Sequence, residues 1–253
     1  MKQDTVVAIT GGGTGIGKAT ARWFLDRGAR VVLNGRRTSV LEAAAAELDP
    51  GGTRVARVPG SIAEPATATA LVAEALARFG RLDVLVNNAG IFRPTPFLET
   101  TPEDFQAYVD IILKGTFFAT KAAVPALISA GGGAVVNVGS MWAEQAIGAT
   151  PSAAYSAAKA GVHALTRNLA IEHAADGIRV NAVAPAVVET PVYTTFMTEE
   201  EAAQTLPGFN AFHPLGRNGQ PDDVAEAIGY LAGAAWVTGA ILHVDGGVLA
   251  GRH

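Results

Sequence analysis

The 253-residue chain has no cysteine. Disulfides and thiolate metal sites are thereby excluded, and a reducing compartment is compatible with the composition. It also lacks a basic excess. Lysine and arginine number 19 against 23 aspartates and glutamates, a net charge of −4, so no global positive field draws nucleic acid or an anionic membrane. Near the start the only apolar run is Val6 to Ile9, too short for a signal core or a membrane span. The expectation is a soluble cytoplasmic protein with no nucleic-acid and no membrane partner. Histidines stand at 163, 173, 213, 243 and 253 without ligand spacing, so no metal site is expected. Gly139-Ser140-Met141 lacks both flanking glycines of a nucleophile elbow, which argues against serine hydrolysis. No repeat, low-complexity tract or interdomain linker interrupts the chain.

What is present is an alternation of short apolar β-rich runs with Ala/Leu-rich helical stretches. Strands are expected at 5–9, 29–34, 53–58, 82–86, 134–138, 178–183 and 240–244. Helices are expected at 18–25, 39–48, 64–79, 102–129, 151–171 and 221–232. Such alternation specifies an α/β domain, a doubly wound parallel sheet of about seven strands with helices on both faces. The whole of 1–253 reads as one dinucleotide-binding domain, an ordinary size for this class.

The first strand runs at once into Thr10-Gly11-Gly12-Gly13-Thr14-Gly15-Ile16-Gly17 and then a helix. Strand, glycine loop and helix together make a phosphate cradle. The glycines let the backbone approach a pyrophosphate whose charge meets the free amides of the helix N-terminus. The second strand ends in Asn34-Gly35-Arg36-Arg37, with no carboxylate for a ribose 2′-hydroxyl. Two arginines there suit the 2′-phosphate of NADP, although solvated loop charges are the competing reading.

Tyr155 and Lys159 lie four apart in an Ala-rich helix, hence on one face. A cation beside the phenol lowers its pKa, making the pair a candidate proton donor and acceptor near neutral pH. Alone, such a pair is common on exposed helices. It gains meaning because the glycine loop, 87–90, Ser140 and Pro185 all follow strand ends, the edge where open α/β sheets bind ligands.

The ordered set Thr10-Gly-x-x-x-Gly15-x-Gly17, Asn87-Asn88-Ala89-Gly90, Ser140 with Tyr155-x-x-x-Lys159, Asn181 through Pro185 to Thr190, and Val244-Asp-Gly-Gly247 resembles the short-chain dehydrogenase/reductase family over nearly the whole chain. The resemblance implies an oxidoreductase interconverting an alcohol and a ketone or aldehyde. Tyr155 would be the general acid/base, Ser140 would hydrogen-bond the substrate oxygen, and Lys159 would bind the nicotinamide ribose and lower the Tyr155 pKa. Cofactor contacts would come from Thr10, Gly11, Gly15, Ile16, Gly17, Arg36, Arg37, Ser61, Ile62, Asn88, Ala89, Gly90, Tyr155, Lys159, Pro185, Val188 and Thr190. NADP(H) is preferred and NAD(H) remains an alternative. The partners implied are a small carbonyl or alcohol substrate and, by family habit, three further copies in a homotetramer. A cofactor-binding protein without turnover is the rival from another class.

Three departures from the family pattern stand out. Ile112 occupies the place of an asparagine that supports a water on the lysine, Ser61 stands where an adenine-binding aspartate is frequent, and Ala186 replaces the glycine after Pro185. The interval from Ser140 to Tyr155 is longer than the family pattern, so 141–152 is expected to bulge over the substrate, with Trp142 and Gln145 as walls or Trp142 as plain packing. The stretch 186–220 reads as irregular, a substrate lid or a mobile loop. Phe92, Arg93, Phe97 and Trp142 are pocket candidates. Arg93 hints at a polar or anionic group, but a surface arginine is the favoured reading.

Overall fold

The computed structural model describes residues 4–251, so positions 1–3 and 252–253 of the expected domain, His253 among them, lie outside the described residues. Seven strands form one parallel sheet: β1 (Val6–Ile9), β2 (Arg30–Gly35), β3 (Val55–Pro59), β4 (Val84–Asn87), β5 (Gly133–Val138), β6 (Ile178–Pro185) and β7 (Ile241–Val244). Their spatial order is β3-β2-β1-β4-β5-β6-β7, which puts the reversal of winding between β1 and β4. The doubly wound architecture expected from the strand–helix alternation is what the chain adopts.

The central strands are apolar without alternation because both faces are covered. In β1, Val7 and Ile9 pack into one layer with Phe24, Val224 and Ile228, whereas Val6 and Ala8 pack into the opposite layer with Leu71, Ala123 and Leu127. The first layer is built by α1 (Gly15–Leu25), α2 (Thr38–Leu48) and α8 (Pro221–Gly233). The second is built by α3 (Pro65–Phe79), α5 (Gly115–Ser129) and α6 (Ala153–Glu172). All four residues of β1 are fully buried, and removing such side chains from water is the main stabilising term.

A buried polar chain fixes α6 against the sheet. Asn87 Nδ2 donates to Thr120 Oγ1 and to Asn137 Oδ1, both at 2.9 Å, and Asn137 Nδ2 donates to Thr166 Oγ1 at 2.9 Å. The chain crosses α5, β4, β5 and α6, so the register of the helix bearing Tyr155 is set by hydrogen bonds that have no water to replace them.

The structure departs from the sequence expectation in two places. The helix from Pro102 consists of α4 (Pro102–Tyr108), a π-helical turn (Val109–Lys114) and α5. By length and composition it is able to cross a membrane; here it packs against α3 and α6. The stretch 186–220 is not irregular throughout. It holds 3₁₀ helices at Tyr193–Thr195 and Leu206–Phe212 and the helix α7 (Glu199–Thr205). Thr198 and Glu201 close a capping box at the start of α7, and Glu199, Glu200 and Glu201 lie in its first turn, where negative charge is favoured.

Candidate active site

A cleft of about 410 Å³, within the range of small-molecule sites, runs along the carboxyl ends of β1, β4, β5 and β6. Of the expected cofactor and catalytic residues, Gly11, Gly15, Ile16, Arg36, Arg37, Ser61, Ile62, Asn88, Ala89, Gly90, Ser140, Tyr155, Lys159, Pro185, Val188 and Thr190 line it. Thr10 and Gly17 do not line it. The buried Thr10 hydroxyl accepts the amides of Asn88 and Ala89, each at 3.0 Å, and thereby holds the end of β4 against the glycine loop. Gly17 serves close packing: a Cβ there would lie 2.3 Å from the Gly11 carbonyl oxygen.

At one end of the cleft α1 begins. Thr14 makes no side-chain cap, and Gly13, Thr14, Gly15 and Ile16 all face the cleft. Uncapped first-turn amides suit an anion. Arg36 and Arg37 stand beside them at the end of β2, exposed, and among the described residues neither forms an ion pair with a carboxylate. Asn34, at the end of the same strand, donates to the Val58 and Gly60 carbonyls at 3.0 and 3.1 Å, so its amide is committed to β3. The residues fit a phosphorylated dinucleotide. Thr190 lies against Gly15, closing the loop from the β6 side.

At the other end Ser140, Tyr155 and Lys159 converge. Ser140 follows β5, and its hydroxyl accepts the Trp142 amide at 3.2 Å. The Tyr155 hydroxyl lies close enough for the serine to act on its pKa. Burial pushes the Tyr155 phenol up to about 12; the Ser140 hydroxyl opposes this and the nearby Tyr108 reinforces it. Burial brings the Lys159 ammonium down to about 8. Its Nζ donates to the Val138 carbonyl at 2.6 Å and lies 5.7 Å from the centre of the Tyr155 ring. The expected lowering of the Tyr155 pKa by Lys159 is therefore not what the protein alone displays. Desolvation outweighs the cation, because the ammonium is turned toward the backbone of β5.

Ile112 is 1% exposed and packs with Tyr108, Ala154, Ala158 and Val162 beside Tyr155. The residue of the π-helical turn that faces the cleft is Ile111. No side-chain polar group is thus offered from either position. Arg93 is exposed and away from the cleft lining, and Phe97 is 75% exposed. Both are removed from the pocket wall, while Phe92 and Trp142 belong to it. Gln145 lines a separate depression behind Trp142, together with Phe97 and Ser156. Trp142 both walls the cleft and packs, its Nε1 donating to Thr150 Oγ1 at 2.9 Å.

Two contributions were not legible in the sequence. Tyr193, from the segment after β6, reaches the cleft beside Phe209, which the expected lid already contained. That segment is pinned by buried Asn218, which donates to the Leu206 carbonyl at 2.7 Å and to Glu189 at 3.2 Å. His163, one turn after Lys159, lies behind the serine and accepts the Ser140 amide through Nε2 at 3.4 Å. Among the described residues no group of three His, Asp or Glu side chains is placed to hold a metal ion.

A parallel sheet with a glycine-cradled anion site and a Ser/Tyr/Lys cluster at one edge defines a nucleotide-dependent oxidoreductase. A family model described as enoyl-(acyl carrier protein) reductase matches residues 11–249. The chain is 42% identical over 250 residues to a cis-4-hydroxycyclohexanecarboxylate dehydrogenase of Sinomonas cyclohexanicum, covering 98% of this chain and 97% of that protein. It is 39% identical over 248 residues to a 3-oxoacyl-[acyl-carrier-protein] reductase of Synechocystis sp., covering 96% of each. The solved structure of ElxO with NADP bound superposes with a TM-score of 0.89 at 31% identity, covering 98% of this chain and all of that one. The chain belongs to the short-chain dehydrogenase/reductase family and is an NAD(P)-dependent oxidoreductase acting on alcohol and ketone substrates.

Proposed function

We propose that this protein is an NADP(H)-preferring reductase and dehydrogenase in which Tyr155 carries the proton. The observation that carries the reading is the convergence of the Ser140 and Tyr155 hydroxyls in one cleft with the exposed Arg36 and Arg37 at its far end. When bound, the nicotinamide supplies a hydride to a carbonyl carbon or takes one from a carbinol carbon. Tyr155 gives the proton to the developing alkoxide oxygen, or removes it in oxidation, and Ser140 donates a hydrogen bond that orients that oxygen. A phenol held protonated by burial suits the acid role in reduction. Lys159 would hold the nicotinamide ribose through its ammonium.

The cofactor preference rests on Arg36 and Arg37 and on the absence of a carboxylate at the end of β2; the NADP-bound relative is consistent with it. The cleft contacts of Ser61, Ile62, Asn88, Ala89 and Gly90 are assigned to the adenosine side, and those of Pro185, Val188 and Thr190 to the nicotinamide side. The segment 186–220 serves as the substrate cover, and the working form is a cytoplasmic homotetramer by family habit. An NAD(H)-preferring enzyme of the same family is the second reading, favoured by the exposure of Arg36 and Arg37 as loop charges.

One experiment separates these. Consumption of NADPH and of NADH with a ketone panel is followed for the native protein, Tyr155→Phe and Arg36→Asp. Tyr155→Phe is expected to lose at least about a thousandfold in kcat while still binding NADPH. Arg36→Asp is expected to turn the preference toward NADH. Native turnover that is faster with NADH than with NADPH would establish the second reading, and an unchanged preference in Arg36→Asp would remove the 2′-phosphate assignment.

A further inference from the structure

The reacting hydroxyl sits at the edge of an aromatic cluster. The Phe92 ring lies 5.0 Å from Tyr155, 6.3 Å from Trp142, 6.4 Å from Tyr193 and 6.1 Å from Phe196, centre to centre and tilted or edge-on in each case. These rings come from four separate segments of the chain: the stretch after β4, the loop after β5, α6 and the segment after β6. They do not stack by local sequence, and only the fold assembles them.

The chemistry of this wall is one-sided. The charged residues lining the cleft are Arg36, Arg37 and Lys159. The two arginines stand at the β2 end, at the glycine loop, and Lys159 Nζ donates to the Val138 carbonyl and is assigned to the cofactor rather than to the aromatic wall. Glu144 turns the other way, with its carboxylate at 3.3 Å from His163 and 2.9 Å from His243. Trp142 Nε1 donates to Thr150 Oγ1 at 2.9 Å, and burial pushes the Tyr193 phenol up, so it stays neutral. Besides Ser140 and Tyr155, a substrate finds ring faces, the aliphatic side chains of Val187 and Val192, and a few neutral hydroxyls, of which Thr150 accepts from Trp142 Nε1 and Thr195 donates to the Val192 carbonyl.

We infer that the substrate is an uncharged, ring-bearing ketone or secondary alcohol whose only polar group at the wall is the one that reacts, and that Phe92 selects it. The inference rests on the oxidoreductase reading above and narrows its substrate. Flat or chair-shaped rings match tilted aromatic faces, which favour edge-on and offset contacts. A carboxylate placed against this wall loses its water and gains no cation. A polyol loses hydrogen bonds that a few neutral hydroxyls replace only in part. A site with few partners for such groups discriminates by unpaired polarity as well as by fit.

The test uses the native enzyme with NADPH and three sets of ketones: cyclohexanone and acetophenone, their ring-carboxylated counterparts, and open-chain hydroxyketones such as dihydroxyacetone and fructose. Tyr155→Phe is run beside each. The uncharged ring ketones are expected to exceed both other sets by at least about a hundredfold in kcat/KM. Phe92→Ala is expected to shrink that advantage about tenfold, and Phe92→Leu, which keeps an apolar wall, to shrink it less. Tyr155-dependent turnover that is equal or better on the carboxylates or the hydroxyketones would overturn the substrate class and leave the oxidoreductase reading standing. Tight NADPH binding with no Tyr155-dependent turnover on any set would overturn that reading and the substrate class with it.

Discussion

His163 lies directly behind Ser140. Its Nε2 accepts the Ser140 amide at 3.4 Å, and its Nδ1 is 3.3 Å from Glu144 Oε1, whose other oxygen meets His243 Nε2 at 2.9 Å. With Nε2 accepting, the neutral ring carries its proton on Nδ1 and offers it to Glu144. The backbone that presents the serine to the cleft is thus supported from α6, the same helix that carries Tyr155 and Lys159.

The support is a tight one, and this yields a first prediction. A Cβ at Gly139 would lie 2.2 Å from His163 Nε2 and 3.1 Å from the Val183 carbonyl oxygen. Gly139→Ala should destabilise the protein by at least about 1–3 kcal/mol, the usual scale of overpacking. Because the main clash is with one side chain, Gly139→Ala combined with His163→Ala should cost less than the two single changes added together. Urea unfolding of all four proteins measures the coupling. Simple additivity would mean that the loop shifts as a whole and that His163 is not its support.

A second prediction concerns acid. Burial pulls His163 down to about 4; Glu144 resists this, and Lys159, Arg167 and His243 reinforce it. In the unfolded chain the same ring takes up a proton near about 6.5. Between those values the unfolded state binds more protons, so this contribution to stability is complete above about pH 6.5 and is lost as pH falls toward 4. After allowance for solvent relaxation the loss is on the order of 2 kcal/mol. His163→Gln, which cannot titrate, should show a shallower decline in urea midpoint over that range. Equal declines in the two proteins would assign the acid sensitivity elsewhere.

The third prediction is a pH–rate profile. Lys159 keeps its proton only below about 8 in the free protein, whereas Tyr155 stays protonated to about 12. Since kcat/KM reports the free enzyme, kcat/KM for NADPH should fall above about pH 8, approaching tenfold per pH unit. A profile flat to pH 10 would show that the lysine charge is not needed to capture the cofactor.

Much of the fold was written in local pattern. Continuous apolar runs such as Val6 to Ile9 become strands buried on both faces, and every expected strand is found within a few residues. The glycine loop and the Tyr155–Lys159 spacing are equally local, because each is a few residues on one turn or one helix face. Reading failed where the deciding partner was distant. The capping box of Thr198 and Glu201 was a local signal hidden by a stretch of acidic residues that resembles solvated loop. Gln145 looked like a wall residue from its neighbours in sequence, but it lines the separate depression behind Trp142, whereas Arg93 is the surface arginine that its setting favoured.

The sequence by itself determined the class: a doubly wound parallel sheet, a phosphate cradle at its first turn, and a serine, tyrosine and lysine brought to one edge. These follow from periodicity, glycine spacing and helix geometry, which act over a few residues. Only the tertiary structure decided the electrical character of the site. Burial, a property of everything packed around a group, holds the Tyr155 phenol protonated and weakens the Lys159 charge. The aromatic wall and the histidine behind Ser140 are likewise tertiary, since Phe92, Trp142, Tyr193 and His163 lie far apart along the chain and meet only when the sheet and its helices close around them.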